Sequence, residues 1–125
     1  MKKIISIPNA PAPIGPYSQA IVKNNTLFVS GQIPLDPKTG ELKLNTIAEA
    51  TTQVMENIKS LVITAGFQMS DVVKCSIFLK SMDDFTEVNA VYAHYFQEYP
   101  PARETVAVVQ LPLDVPVEIS CIAIQ

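Results

Sequence analysis

One arginine occurs in this 125-residue chain, Arg103, within Pro100-Pro101-Ala102-Arg103-Glu104-Thr105-Val106; the remaining Lys/Arg residues are all lysines. A guanidinium is a flat fork that grips a carboxylate through two parallel hydrogen bonds, whereas an ammonium acts as a point charge. Placed after a proline pair and before the apolar run Val106-Ala107-Val108-Val109, Arg103 is suited to holding a small anion in one orientation, although by itself it reads more simply as a surface charge. Glu118 is the second such residue. It lies among Val117, Ile119, Ile122 and Ile124, and a carboxylate in such company is either an ion-pair member or a group with a chemical task. Cys75, Cys121 and the single histidine, His94, are too scattered to hold a metal, so none is expected and the thiols read as buried and reduced.

The elements that must position these residues follow from periodicity. Lys3–Ile7 reads as a short strand running into the prolines at 8, 11, 13 and 16, which enforce an extended path. Gln19–Lys23 and Thr26–Val29 flank Asn24-Asn25, a pair suited to a tight hairpin. Thr46 with Glu49 forms a capping-box pattern ahead of Ile47, Ala50, Val54, Ile58, Leu61, Val62 and Ala65 at helical spacing, and Gly66 ends the run. Val73, Cys75, Ile77 and Leu79 alternate with Lys74, Ser76, Phe78 and Lys80 as a strand. Asp83 or Asp84 is expected to cap a second helix carrying Phe85, Val88, Val91, Tyr92, Tyr95 and Phe96, and two strands follow near Thr105–Gln110 and Val117–Ile124.

The order β-β-β-α-β-α-β-β predicts an α+β fold: one domain over residues 1–125, with a single mixed sheet and two helices on one face. In the last strand Val117, Ile119, Cys121 and Ala123 can pack under the helices. The other face carries Glu118, Ser120, Ile122 and Ile124, for which this chain offers no cover, so a second copy is expected there. A net charge of −3 without a lysine run argues against nucleic acid as the main partner. No apolar run approaches the roughly 20 residues of a membrane helix, and a cytoplasmic protein is expected.

Several motifs together carry a family likeness. Ala12-Pro13-Ile14-Gly15-Pro16-Tyr17-Ser18-Gln19-Ala20, Val29-Ser30-Gly31-Gln32-Ile33-Pro34, Val88-Asn89-Ala90-Val91-Tyr92, Pro101-Ala102-Arg103 and Val117-Glu118-Ile119 closely resemble the RidA (YjgF) family, in its order and at about its spacing. The resemblance implies a chorismate-mutase-like homotrimer with pockets in clefts between subunits. It implies a 2-iminobutanoate/2-iminopropanoate deaminase, hydrolysing enamine-derived 2-imino acids to 2-oxo acids and ammonia without metal or cofactor. On this reading Arg103 binds the substrate carboxylate, Glu118 positions or deprotonates water, and Tyr17 donates a phenolic hydrogen bond. Gly31 admits close backbone approach, Ser30 and Asn89 shape the pocket, and Thr105, on the Arg103 side of its strand, completes the carboxylate cradle. The alternative function is a trimer that binds 2-oxo acids as a sensor, without turnover. Glu104 departs from the small residue usual after the arginine and is expected to point away from Arg103. The segment Gln97–Pro100 is also short for the family.

Overall fold

A computed structural model describes residues 1–125. Six strands form one sheet in the order β1-β2-β3-β6-β4-β5. They are β1 (Lys3–Ile5), β2 (Ala20–Lys23), β3 (Thr26–Gln32), β4 (Val72–Leu79), β5 (Ala102–Ala107) and β6 (Val117–Ile124). Helix α1 (Ile47–Thr64) joins β3 to β4, and α2 (Phe85–Tyr95) joins β4 to β5. Only β4 and β5 run parallel, so the sheet is mixed, with α2 as the crossover between them.

Local chemistry accounts for the joints. Asn24 and Asn25 both take left-handed φ angles, 52° and 62°, which a two-residue turn matched to strand twist requires. Thr46 Oγ1 accepts from the Glu49 amide at 3.0 Å and starts α1, while the return bond from the Thr46 amide to the Glu49 carboxylate is not formed. The start of α2 differs from expectation. Ser81, not an aspartate, accepts a capping bond from the Asp83 amide at 3.1 Å, opening a short 3-10 turn that leads into the helix. Asp84 occupies the position before α2 without a side-chain cap.

Ala50, Val54, Met55, Ile58, Leu61 and Val62 of α1 are buried against one face of the sheet, together with Val88 and Tyr92 of α2. Beneath them lie Leu27, Val29, Cys75, Ile77, Leu79, Val117, Ile119, Cys121 and Ala123. Both cysteines are buried, free thiols. Val73 is a correction. The β4–β6 register shifts between Val72 and Lys74, so Val72 takes the buried position and Val73 bulges outward. β5 also starts earlier than predicted, at Ala102, because its pairing follows β4: Lys74 opposes Ala102 and Leu79 opposes Ala107. The other sheet face is open. Ile4, Ile21, Phe28 and Ile122 make an apolar row across four strands, and none of them is buried. No helix is long and apolar enough to cross a membrane.

Candidate active site

Arg103 sits on the edge strand β5 in register with Cys75, so its side chain projects to the helix face. There α2 builds a cage for it. Nη2 donates to Asn89 Oδ1 at 2.6 Å, and Cζ lies 4.9 Å from the Tyr92 ring centre and 5.8 Å from that of Phe85. Aromatic faces attract a cation, so these rings and Asn89 together fix where the guanidinium sits. Asn89, Tyr92, Phe96, Pro100, Pro101 and Arg103 line a cleft of about 370 Å³. Two residues along the same strand face, Thr105 Oγ1 is buried without a hydrogen-bond partner, leaving polar capacity near the guanidinium. Tyr92 Oη is likewise unpartnered beside the Cys75 thiol, and burial is the main cause raising the phenol's pKa.

Sequence reasoning did not single out Phe85 or Tyr92 for the site. The available signal was their spacing, since Phe85, Asn89 and Tyr92 fall at i, i+4 and i+7 and so share one stripe of α2.

Glu118 belongs to a different cleft. It opposes Phe78 in the β4–β6 ladder and projects to the open face. Across the β3–β6 ladder, Val29 opposes Cys121 and Gln32 opposes Ile119, so β3 spends one extra residue at Ser30-Gly31. This bulge carries Gly31 against Glu118. A Cβ on Gly31 would lie 2.6 Å from Glu118 Oε2 and 2.7 Å from its Cδ, so the missing side chain makes room for the carboxyl group itself. The Ser30 hydroxyl is committed to the loop: it donates to the Ser18 carbonyl at 2.6 Å, while its amide donates to the Gln19 carbonyl at 2.9 Å. These bonds fix the segment carrying Tyr17, whose ring is exposed at the mouth of the same cleft. Glu118 has no ion pair, and burial pushes its pKa above the ordinary carboxylate range.

The predicted residues therefore fall into two groups. Arg103, Thr105 and Asn89 gather on the helix side, while Tyr17, Ser30, Gly31 and Glu118 gather around the second cleft. Glu104 is directed away from Arg103: it pairs with Lys74 at 2.7 Å and accepts a hydrogen bond from Ser76 on the open face. Lys74 first, and then Ser76, holds its pKa below normal.

The fold defines a small α+β domain with a cleft holding Arg103 on one sheet face and a cleft holding Glu118 on the other. The chain belongs to the Endoribonuclease L-PSP family, the YjgF/RidA family, whose model matches residues 7–125. A RutC family protein of Pyrococcus horikoshii is 54% identical, covering 98% of both chains. The 2-iminobutanoate/2-iminopropanoate deaminase of Escherichia coli K12 is 44% identical over 100% of this chain and 99% of its own. The solved YjgF gene product of E. coli superposes with a TM-score of 0.91 at 44% identity, covering 98% of both chains.

Proposed function

We propose that this protein hydrolyses 2-imino acids to 2-oxo acids and ammonia, at sites assembled between copies of the chain. The observation that carries the reading is Glu118: a carboxyl group without a cation partner, partly desolvated and seated on Gly31 in a cleft. Burial raises its pKa, which makes it a stronger base toward water than a solvated carboxylate. The relationship to a deaminase at 44% identity supports the same chemistry.

In the proposed reaction Arg103 grips the substrate carboxylate through the fork held by Asn89 and Tyr92. The Thr105 hydroxyl supplies a further hydrogen bond. Glu118 takes a proton from water as the oxygen adds to the imine carbon, while the nitrogen takes a proton from solvent and the C=N bond becomes single. The tetrahedral carbinolamine then collapses. Protonated Glu118 gives its proton to the amine nitrogen, the C–N bond breaks as the hydroxyl proton returns to solvent and the C=O bond forms, and ammonia leaves with the Glu118 carboxylate regenerated. Tyr17 donates its phenolic hydrogen bond to the reacting end. Orientation of this kind can lower the barrier by several kcal/mol.

The two half-sites lie on opposite sheet faces, so a complete centre joins Arg103 of one copy to Glu118 of another. We place three copies in a closed ring, an arrangement that also covers the row of Ile4, Ile21, Phe28 and Ile122. A nucleolytic role, suggested by the family's printed name, has less support: the net charge is −3, and the single histidine, His94, lines neither cleft. The test generates imino acids with an amino-acid oxidase in the presence of semicarbazide, which traps them. Native protein should suppress the trapped product and Arg103→Ala should not. Failure by the native assembly would overturn the deaminase.

A further inference from the structure

Gln32 is a polar side chain at an apolar position. It opposes Ile119 across the β3–β6 ladder, so it lies on the helix face of the sheet, and it is only 9% exposed. The other buried residues of β3 and β6 on that face, Leu27, Val29, Val117, Ile119, Cys121 and Ala123, carry no amide or hydroxyl group. A carboxamide moved from water into such surroundings is costly unless it is hydrogen-bonded. The bond that Gln32 makes runs back along its own strand: Nε2 donates to the Ser30 carbonyl at 3.1 Å.

That bond spans the bulge on which Glu118 is seated. Pairing of β3 with β6 skips from Val29 to Gln32, which leaves Ser30 and Gly31 without opposite residues to hold them. The segment is tied on either side. Upstream, the Ser30 hydroxyl donates to the Ser18 carbonyl, and downstream Asn57 of α1 donates to the Ile33 and Leu35 carbonyls at 3.2 and 2.9 Å. Between these ties, the Ser30–Gly31 peptide is gripped by Gln32. In a planar trans peptide the carbonyl and the following N–H point in opposite directions, so fixing the Ser30 carbonyl fixes the whole unit and the approach of Gly31 to its neighbour. The tolerance there is small, since a Cβ on Gly31 would meet Glu118 Oε2 at 2.6 Å and Cγ at 3.0 Å. Glu118 itself projects to the other sheet face, so the influence of Gln32 on it runs through the bulge backbone.

We infer that Gln32 is a positioning residue for the reaction: its buried carboxamide holds the Ser30–Gly31 bulge in the one shape that seats the Glu118 carboxyl group for water addition. The inference rests on the proposed role of Glu118. It accounts for an amide at a core position that an aliphatic side chain would otherwise fill, and it assigns the amide no contact with substrate.

The experiment compares the native assembly with Gln32→Met, which keeps the length and bulk of the side chain and removes the donor. With imines generated by an amino-acid oxidase, kcat should fall about tenfold or more, the scale on which small misplacements of a reacting group are felt. KM should stay within about twofold, because the Arg103 fork is untouched, and the melting temperature should stay within about 5 °C. Combining Gln32→Met with Gly31→Ala should lower kcat little beyond the worse single variant, since both unseat the same carboxyl group. Crystal structures of both proteins give a readout that does not depend on turnover: the Glu118 carboxyl rests against Gly31 in the native protein and turns away in Gln32→Met. Native kcat in the variant overturns the inference, and so do fully multiplicative losses in the double variant. A loss confined to KM would place Gln32 against substrate instead, and a large drop in melting temperature with Glu118 still seated would make it a stability residue; either result overturns the positioning role. If the native assembly hydrolyses no imine, the deaminase falls, and the crystal structures alone decide whether Gln32 seats Glu118.

Discussion

Arg103 and Glu118 project from opposite faces of one sheet: Arg103 is aligned with Cys75 and Cys121 on the helix side, Glu118 with Phe78 and Val106 on the open side. No side-chain rotation can bring them to the same small ligand within one chain. If the centre forms between copies, Arg103→Ala and Glu118→Ala variants should each be inactive, yet refolding them together should restore turnover. In a ring of three with random mixing, about a quarter of the sites receive both intact residues, so about a quarter of native activity is expected. No recovery from properly mixed oligomers would place the centre within a single chain.

Gly31→Ala tests the contact that seats Glu118. The added Cβ would fall 2.6 Å from Oε2 and 3.0 Å from Cγ, too close for either to stay. The cheaper response is rotation of the Glu118 side chain, since the neighbour is flexible and the cleft is open. Melting temperature should therefore change little while kcat falls by about ten- to a hundredfold, in line with misplacing a general base. A large drop in stability with normal kcat would show that the backbone moves instead.

Glu104→Ser should leave turnover within about twofold of native. The carboxylate is engaged by Lys74 and Ser76 on the face away from the Arg103 fork, and an exposed pair of this kind contributes little to stability. Measured kcat/KM well above native would mean that Glu104 competes with substrate for Arg103.

Much of this arrangement was legible from the chain. Element order, helix spans and the two-faced last strand follow from local spacing, because periodicity reports which face each residue presents. What escaped was set by long-range pairing. Val73 alternates correctly with Cys75 and Ile77, yet a bulge against β6 turns it outward. The run Thr105–Gln110 has strand propensity throughout, but β5 starts and stops where β4 can pair with it. Of the candidate site residues, Arg103 and Glu118 drew notice by type and the rest came from the family resemblance. Their separation onto two faces was implicit in the alternation, but the cage around Arg103 depends on how α2 crosses over β4 and β5. Gly31 illustrates the limit: glycine signals a close approach, and only the sheet register reveals that Glu118 makes it.

Arg103→Lys keeps the charge and loses the fork. A lysine cannot bond Asn89 and both carboxylate oxygens in one plane as the guanidinium fork can. A charge-assisted contact contributes about 1.5–3 kcal/mol, so kcat/KM should fall by about ten- to a hundredfold, with 2-oxo acid binding weakened in parallel. Near-native kinetics would reduce Arg103 to a point charge.

Glu118→Gln separates stability from function. Burial raises the folded-state pKa of Glu118 above its unfolded value, so its favourable contribution is complete at low pH, where the acid is neutral in both states. That contribution is lost as pH rises from the unfolded value near 4.5 through the raised folded one. Above this window the folded chain holds a desolvated carboxylate that no cation of its own chain pairs. Glutamine is neutral at every pH, so the variant should melt higher than native at neutral pH, the difference vanishing toward pH 4, while turnover is lost. Thermal melts across pH 4–8 on both proteins check this directly. A variant that melts lower than native at neutral pH would mean that the ionised carboxylate is stabilised by a partner.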